Sequence, residues 1–513
     1  MKPFSEPWGD SLSGLPLQLV TITGCAAGFF AFGFDQGIAN ALTQNADFYA
    51  QFPRLEGDET VLGTVLALFV LGAACGCLTA SVVGNRVGRR PFLISATVGT
   101  IIGAAGMSGA VNLGMFCAFR IILGFSVGVI TSVVPSFVAE VSKPANRGLL
   151  MSLELVFAAT GLMTAFWVTY GFAKEQRPIG WRVPTALQGA FLVVTLITLM
   201  FTPESPRWLA EAGRAEEGHR VLERLHGREY ADAAMSEIKE AIAIEHAAAS
   251  GKGYADCFSN NDQCFRYRTL LAIAVNFFQQ ATGINMATYY SGTILIQSVG
   301  MAPDRATLVL GGLGIAGLVF MVFGCFFMME KVGRVNTMIV GAIGCCIGQT
   351  LLAAGVGVGT KAGGVVAATG LYIFLCIFSG THLPTAFVYS AEIVPLAIRS
   401  RAATLGVAVQ YIANFVVVMV TPVAIKNITY GFYIIFAIIN ALMVPAIWFT
   451  CPEIAGLSLE GIDGLFANGK VTMRRTTKVD IGGHMPGAAT DLQKDGAKGE
   501  FEYVEKADSS LHV

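Results

Sequence analysis

Residues 270–296 read LLAIAVNFFQQATGINMATYYSGTILI. The run is long enough to cross a bilayer core, yet its middle carries Gln279, Gln280 and Asn285. A side-chain amide in hydrocarbon costs roughly several kcal/mol unless it finds a partner. Gln279 and Gln280 are adjacent, so on a helix they point about 100° apart. Asn285 returns near their face, and Gly283 loosens the helix between them. Two readings fit: polar glue between packed helices, or the hydrogen-bonding wall of a small-molecule cavity at mid-membrane.

The rest of the chain is built in the same apolar style. Of its 513 residues, 54% are apolar and 13% charged, and the mean hydropathy is +0.61. That composition excludes an ordinary soluble protein of this length. A net charge of −1 and no basic domain exclude a nucleic-acid binder. The eleven cysteines are scattered through apolar runs without paired Cys-x-x-Cys units, so neither a metal site nor a disulfide framework is expected. The polar start lacks the basic and apolar regions of a cleaved leader, and the first span is expected to act as the targeting signal. No phosphate-binding Gly-x-x-x-x-Gly-Lys-Ser/Thr loop is present, so ATP-driven pumping is not expected.

Hydropathy predicts twelve spans, at about 17–39, 61–83, 92–111, 115–138, 149–171, 185–202, 270–297, 306–328, 336–356, 365–390, 402–424 and 431–450. The expected fold is an all-α membrane protein of twelve transmembrane helices in two six-helix pseudo-repeats. It divides into a cytoplasmic N-terminus (1–16), an N-terminal half (17–202), a cytoplasmic linker with short amphipathic helices (203–269), a C-terminal half (270–450) and a mostly disordered cytoplasmic tail (451–513). Lys and Arg are concentrated in the loops that share a side with both termini, which places the termini inside. Asn427-Ile-Thr429 then lies outside as a candidate glycosylation acceptor.

Features recur at about half the chain length. Gly88-Arg89-Arg90 follows the second span and Gly333-Arg334 the eighth. Glu140 stands seven residues before Arg147, as Glu392 does before Arg399. Pro203-Glu204 ends the sixth span and Pro452-Glu453 the twelfth. Two halves of equal topology are related by an axis along the membrane normal, with a cavity between them and alternating access by rocking.

These residues resemble the sugar porters of the major facilitator superfamily over about residues 17–466. The match includes Pro-Glu-Ser-Pro-Arg-Trp-Leu at 203–209, Gln-Gln-x-x-Gly-Ile-Asn at 279–285, Glu392 with Pro395 and Arg399, and Gly-Leu-Ser-Leu-Glu at 456–460. Gly-Phe-Asp-Gln-Gly at 33–37 looks most like the fungal members. The resemblance implies a secondary transporter rather than an enzyme, with no cofactor or metal. It implies substrate contacts from Gln279, Gln280, Asn285, Asn414, Phe387 and Tyr411, and gating by Tyr289, Tyr290 and Pro384. It also implies an inner charge network of Arg89, Arg90, Glu140, Arg147, Glu330, Arg334, Glu392 and Arg399 that closes the outward-facing state inside. Asn85 and Ser81 depart from the pattern there.

Asp35, late in the first span, and Arg120, early in the fourth, both fall in the outer third of the membrane, where pairing avoids an isolated charge. In proton-coupled sugar porters the residues at these positions are the coupling pair, and protonation of Asp35 would release Arg120. The expected function is proton-coupled uptake of a monosaccharide or polyol, by a monomer in the plasma membrane. Two contacts of the family are missing, because Leu155 and Leu318 replace an expected glutamine and asparagine. His382 and Glu154 are new; a lone intramembrane His is more often a packing residue, and His382 could instead contact a carboxylated solute or titrate. The rivals are an exporter of a non-sugar metabolite on the same fold, favoured by those leucines, and a non-transporting sugar sensor.

Overall fold

A computed structural model describes residues 12–249, 252–457 and 459–475, and they contain helices and no strands. The side chains of Asn85, Arg147 and Glu330, and the tail from 476 on, lie outside the described residues. The N-terminal half holds α1 (Gly14–Thr43), α2 (Glu59–Val87), α3 (Arg89–Ser108), α4 (Leu113–Val141), α5 (Arg147–Phe172) and α6 (Pro178–Phe201). In the C-terminal half, α7 has two segments, Phe265–Ala281 and Ile284–Thr293, the second continued by a π turn at Ile294–Ser298. It is followed by α8 (Pro303–Phe323), α9 (Arg334–Val358) and α10 (Lys361–Gly380 and His382–Glu392). The half ends with α11 (Arg399–Ile428) and α12 (Tyr430–Thr450).

Among the described residues eleven stretches are long and apolar enough for a bilayer, α10 being taken across its break at Thr381; the twelfth crossing is the interrupted α7. Two expected spans change. The sixth begins at Pro178 rather than 185, because Pro at the first helical position is tolerated and Trp181 is buried beside Phe48 and Phe116. The seventh is broken at Gly283, whose φ of +90° favours glycine; a Cβ there would meet the Phe436 ring at 2.8 Å.

Local chemistry sets the helix ends. The Asp58 carboxylate accepts from the amides of Thr60 and Val61 at 3.1 Å and starts α2; Asn112 starts α4 by accepting from Met115 N at 2.8 Å. Within the N-terminal half, α1 lies directly on α5. A Cβ on Gly33 would stand 1.8 Å from the Ala158 carbonyl oxygen. The linker forms helices at Pro206–Glu211, Ala215–His226 and Arg228–Ala249, with Leu222 and Leu225 buried on the inner face of the second.

The halves meet along three seams: α1 with the second segment of α7, α2 with α11, and α5 with α8. On the orientation given by the basic residues, the tightest approaches lie in the outer half of the membrane. A Cβ on Gly63 of α2 would meet the Met419 carbonyl oxygen at 2.3 Å, and one on Gly314 of α8 the Met163 backbone at 2.8 Å. The molecule is therefore closed on its outer side.

Candidate functional site: an amide relay, a buried ion pair and a closed outer side

The break in α7 turns its polar residues into one connected group. Gln279, 1% exposed, accepts at Oε1 from Gln280 Nε2 at 3.0 Å and from Gln410 Nε2 at 2.9 Å. Its own amide donates to the Leu383 carbonyl at 3.3 Å, where the second segment of α10 begins. Asn285 Nδ2 donates to Gln280 Oε1 at 2.5 Å. The relay runs Asn285 to Gln280 to Gln279, with Gln410 joining from α11. Asn440 of α12 supports the break by donating to the Thr282 carbonyl at 3.2 Å. Hydroxyls both donate and accept, so a neutral polyol can exchange with links of such a relay without leaving a charge behind.

Asn414 lies one turn after Gln410 on the same face of α11, and its buried Oδ1 has no hydrogen-bond partner. Tyr411 places its hydroxyl 3.4 Å from Thr131 of α4 and so touches the opposite half. Phe387 is 41% exposed and is not drawn into the buried relay. His382 does not face the relay either. Its ring stacks on Phe378, and a Cβ on Gly341 of α9 would meet it at 2.8 Å. Pro384 is buried in the first turn of the second α10 segment, where its missing N–H costs no helical bond. Glu154 is buried at 4% exposure with Oε1 unpartnered.

Asp35 and Arg120 form the buried ion pair, with Oδ1 and Nη1 3.0 Å apart and both side chains at 0% exposure. The pair is only partly satisfied: Arg120 Nε and Nη2 have no partner, and Asp35 Oδ2 has only the nearby Gln188 amide, outside strict hydrogen-bond geometry. Phe69 offers its ring to the guanidinium at 5.1 Å. A buried pair with spare polar atoms sits close to break-even between Coulomb attraction and desolvation.

One turn further along α1, on the closed outer side, Asn40 joins the two halves. Asn40 Nδ2 donates to the Thr288 carbonyl at 2.9 Å, and its Oδ1 accepts from Gly292 N at 2.8 Å. Tyr290 donates to the Val418 carbonyl at 2.9 Å, and both Tyr289 and Tyr290 are buried. Exposed Asn427 occupies the last turn of α11.

On the inner side, Arg89 pairs with Glu140 at 3.0 Å and Arg334 with Glu392 at 3.5 Å. Both pairs stay within one half. Arg90 donates to the carbonyls of Leu199 and Met200, and Arg399 to that of Val394. Among the described residues the expected inter-helix network thus forms one cluster in each half, with the Arg147 and Glu330 side chains outside the description. The repeat has a second purpose. Glu204 accepts from the first amides of α3, Arg89 N at 3.0 Å and Arg90 N at 3.2 Å. Glu453 accepts from Arg334 N and Val335 N, both at 2.9 Å, at the start of α9. Each carboxylate caps a helix N-terminus of its own half. Burial raises the Glu204 carboxyl above its usual range, and the amides pull it back.

The family model for sugar (and other) transporters matches residues 20–466. The chain belongs to the sugar transporter family. It is thus a multi-pass membrane transporter of the major facilitator fold, not an enzyme. It is 32% identical over 520 residues to the sugar transporter STL1 of Saccharomyces cerevisiae, covering 98% of this chain and 90% of that one. It is 29% identical to the probable polyol transporter 6 of Arabidopsis thaliana, covering 85% and 91%. Among solved structures it resembles the proton:xylose symporter XylE bound to 6-bromo-6-deoxy-D-glucose, at 25% identity, a TM-score of 0.73, and 88% and 99% coverage.

Sequence reasoning passed over two residues of this sugar transporter's site, Gln410 and Asn40. Gln410 is four residues before Asn414, and that i, i+4 spacing was the available signal. Asn40 is a lone amide inside an apolar span, the same anomaly that singled out Gln279.

Proposed function

We propose that this transporter carries a neutral monosaccharide or polyol together with protons by alternating access. The observation that carries the reading is the Asp35–Arg120 pair, fully buried in one half and partly satisfied, with the amide relay of α7 in the other. In this outward-closed state, the solute replaces relay links at Gln279, Gln280 and Asn285, with Gln410 and Asn414 presenting α11. Protonation of Asp35 frees Arg120 and loosens α1 from α4. Since Asn40 of the same helix holds α7, that change is transmitted to the gate. Support for the solute class comes from the uncharged relay and from likeness to proteins described as sugar, polyol and proton:xylose carriers. Labelled monosaccharides, polyols and sugar acids, offered to transporter-null cells with and without a protonophore, test this. Saturable uptake of a neutral solute that stops with the protonophore is expected. No uptake across the panel would turn the reading toward export.

A further inference from the structure

A cavity of about 430 Å³ opens on the outer face, directly above the closed gate. Its floor is Tyr290, and its walls include Tyr49, Glu56, Glu59, Thr293 and Gln297. These residues come from both halves, from the loop between α1 and α2, the start of α2 and the outer end of α7. Lys426 at the end of α11 closes one side, with Nζ 3.2 Å from the Gly57 carbonyl and 3.5 Å from Glu59 Oε1. The volume falls within the range of small-molecule sites. The lining combines ring faces with carboxylates and hydroxyl- or amide-bearing side chains that can exchange hydrogen bonds with hydroxyls.

We infer that this cavity is an outer docking site for a neutral polyhydroxylated solute, occupied while the gate beneath it is shut. The carboxylates accept from solute hydroxyls, and the Tyr49 ring covers a C–H face. Lys426 neutralises Glu59, so Glu56 leaves the mouth with a net negative charge that disfavours a sugar acid before it reaches the relay. A solute held here stands against Tyr290 when the Asn40 clasp opens. The inference rests on the polyol reading above for its choice of ligand, and it adds a second site in series with the relay.

The test uses the full chain in intact cells with Gln297→Cys, an exposed position on the cavity wall. Labelling by a membrane-impermeant maleimide is timed with and without xylitol, glucose or gluconate. At a solute concentration about four times its Kd, one site in five is empty and labelling slows about fivefold. Protection by xylitol or glucose but not gluconate is expected. It should persist when Gln279→Ala disables the inner relay and disappear when Glu56→Trp fills the cavity. Protection that vanishes with Gln279→Ala overturns the inference, as does absence of protection by either neutral solute. Uptake without protection removes the outer site and leaves the transport reading intact. Protection without uptake keeps the outer site and removes that reading.

Discussion

Replacing Asp35 by Asn separates the two things this side chain does. It contributes an acceptor at 3.0 Å to Arg120, and it contributes a charge in a site with no exposure. Removing one partner of a buried pair costs about 3–5 kcal/mol. Asparagine keeps an acceptor at Oδ1, and a neutral hydrogen bond returns about 1 kcal/mol. The folded state should therefore lose about 2–4 kcal/mol, read as a lower Tm of the purified protein in detergent. The functional loss is of another kind. At one proton per solute, one pH unit supplies about 1.4 kcal/mol, which sustains about a tenfold solute gradient. In proteoliposomes with the outside one unit more acidic, the native chain should accumulate solute about tenfold, and Asp35→Asn should only equilibrate it. Exchange of labelled for unlabelled solute should survive, since the relay is untouched. An Asp35→Asn protein that still accumulates solute and follows external pH would refute the coupling role.

Gln279→Ala removes the node at which three amide links meet. It should lower kcat/KM for uptake by roughly 30-fold, about 2 kcal/mol, with the Asp35-dependent proton response lost in parallel; initial rates decide. Gly33→Ala drives a methyl group into the Ala158 carbonyl, 1.8 Å from an ideal Cβ. Both neighbours are backbone, so a loss of at least about 1–3 kcal/mol is expected, seen as a lower Tm and poorer yield. His226 fastens the linker to the N-terminal half: its Nε2 donates to the Val141 carbonyl at 2.8 Å, and its Nδ1 lies 3.3 Å from the Gln18 amide nitrogen. Burial lowers its pKa from the usual value, and nearby Lys143 adds to that. The neutral ring is thus favoured when docked. Its contribution should be full above about pH 6.5 and be lost as pH falls from there through the lowered value. Protease sensitivity of the linker should rise on acidification in the native chain, and His226→Gln should flatten that dependence.

Much of the architecture was legible because a membrane imposes one strong rule, an apolar run for each crossing. The repeated Gly-Arg, Glu-to-Arg and Pro-Glu features located the two halves. Glu204 and Glu453 now show why the last of these recurs: each caps the third helix of its half. Gln279, Gln280 and Asn285 stood out because amides in hydrocarbon need partners. Which partners they take was not legible, since it depends on the Gly283 break and on the approach of α11. Gln410 gains its partner only through the approach of α11 to Gln279. Phe387 was assigned by position along α10, and after the break at Thr381 His382 packs toward Gly341 of α9. Rotation after a break cannot be read from spacing alone.

The most direct test of proton-coupled solute transport is the movement of protons caused by the solute itself. In proteoliposomes with equal pH on both sides and the membrane potential clamped at zero, a neutral solute of the panel is added outside and external pH is followed. The account predicts alkalinisation that saturates with solute, disappears with a protonophore and is absent in Asp35→Asn. Uptake of the labelled solute with no change in external pH would contradict it.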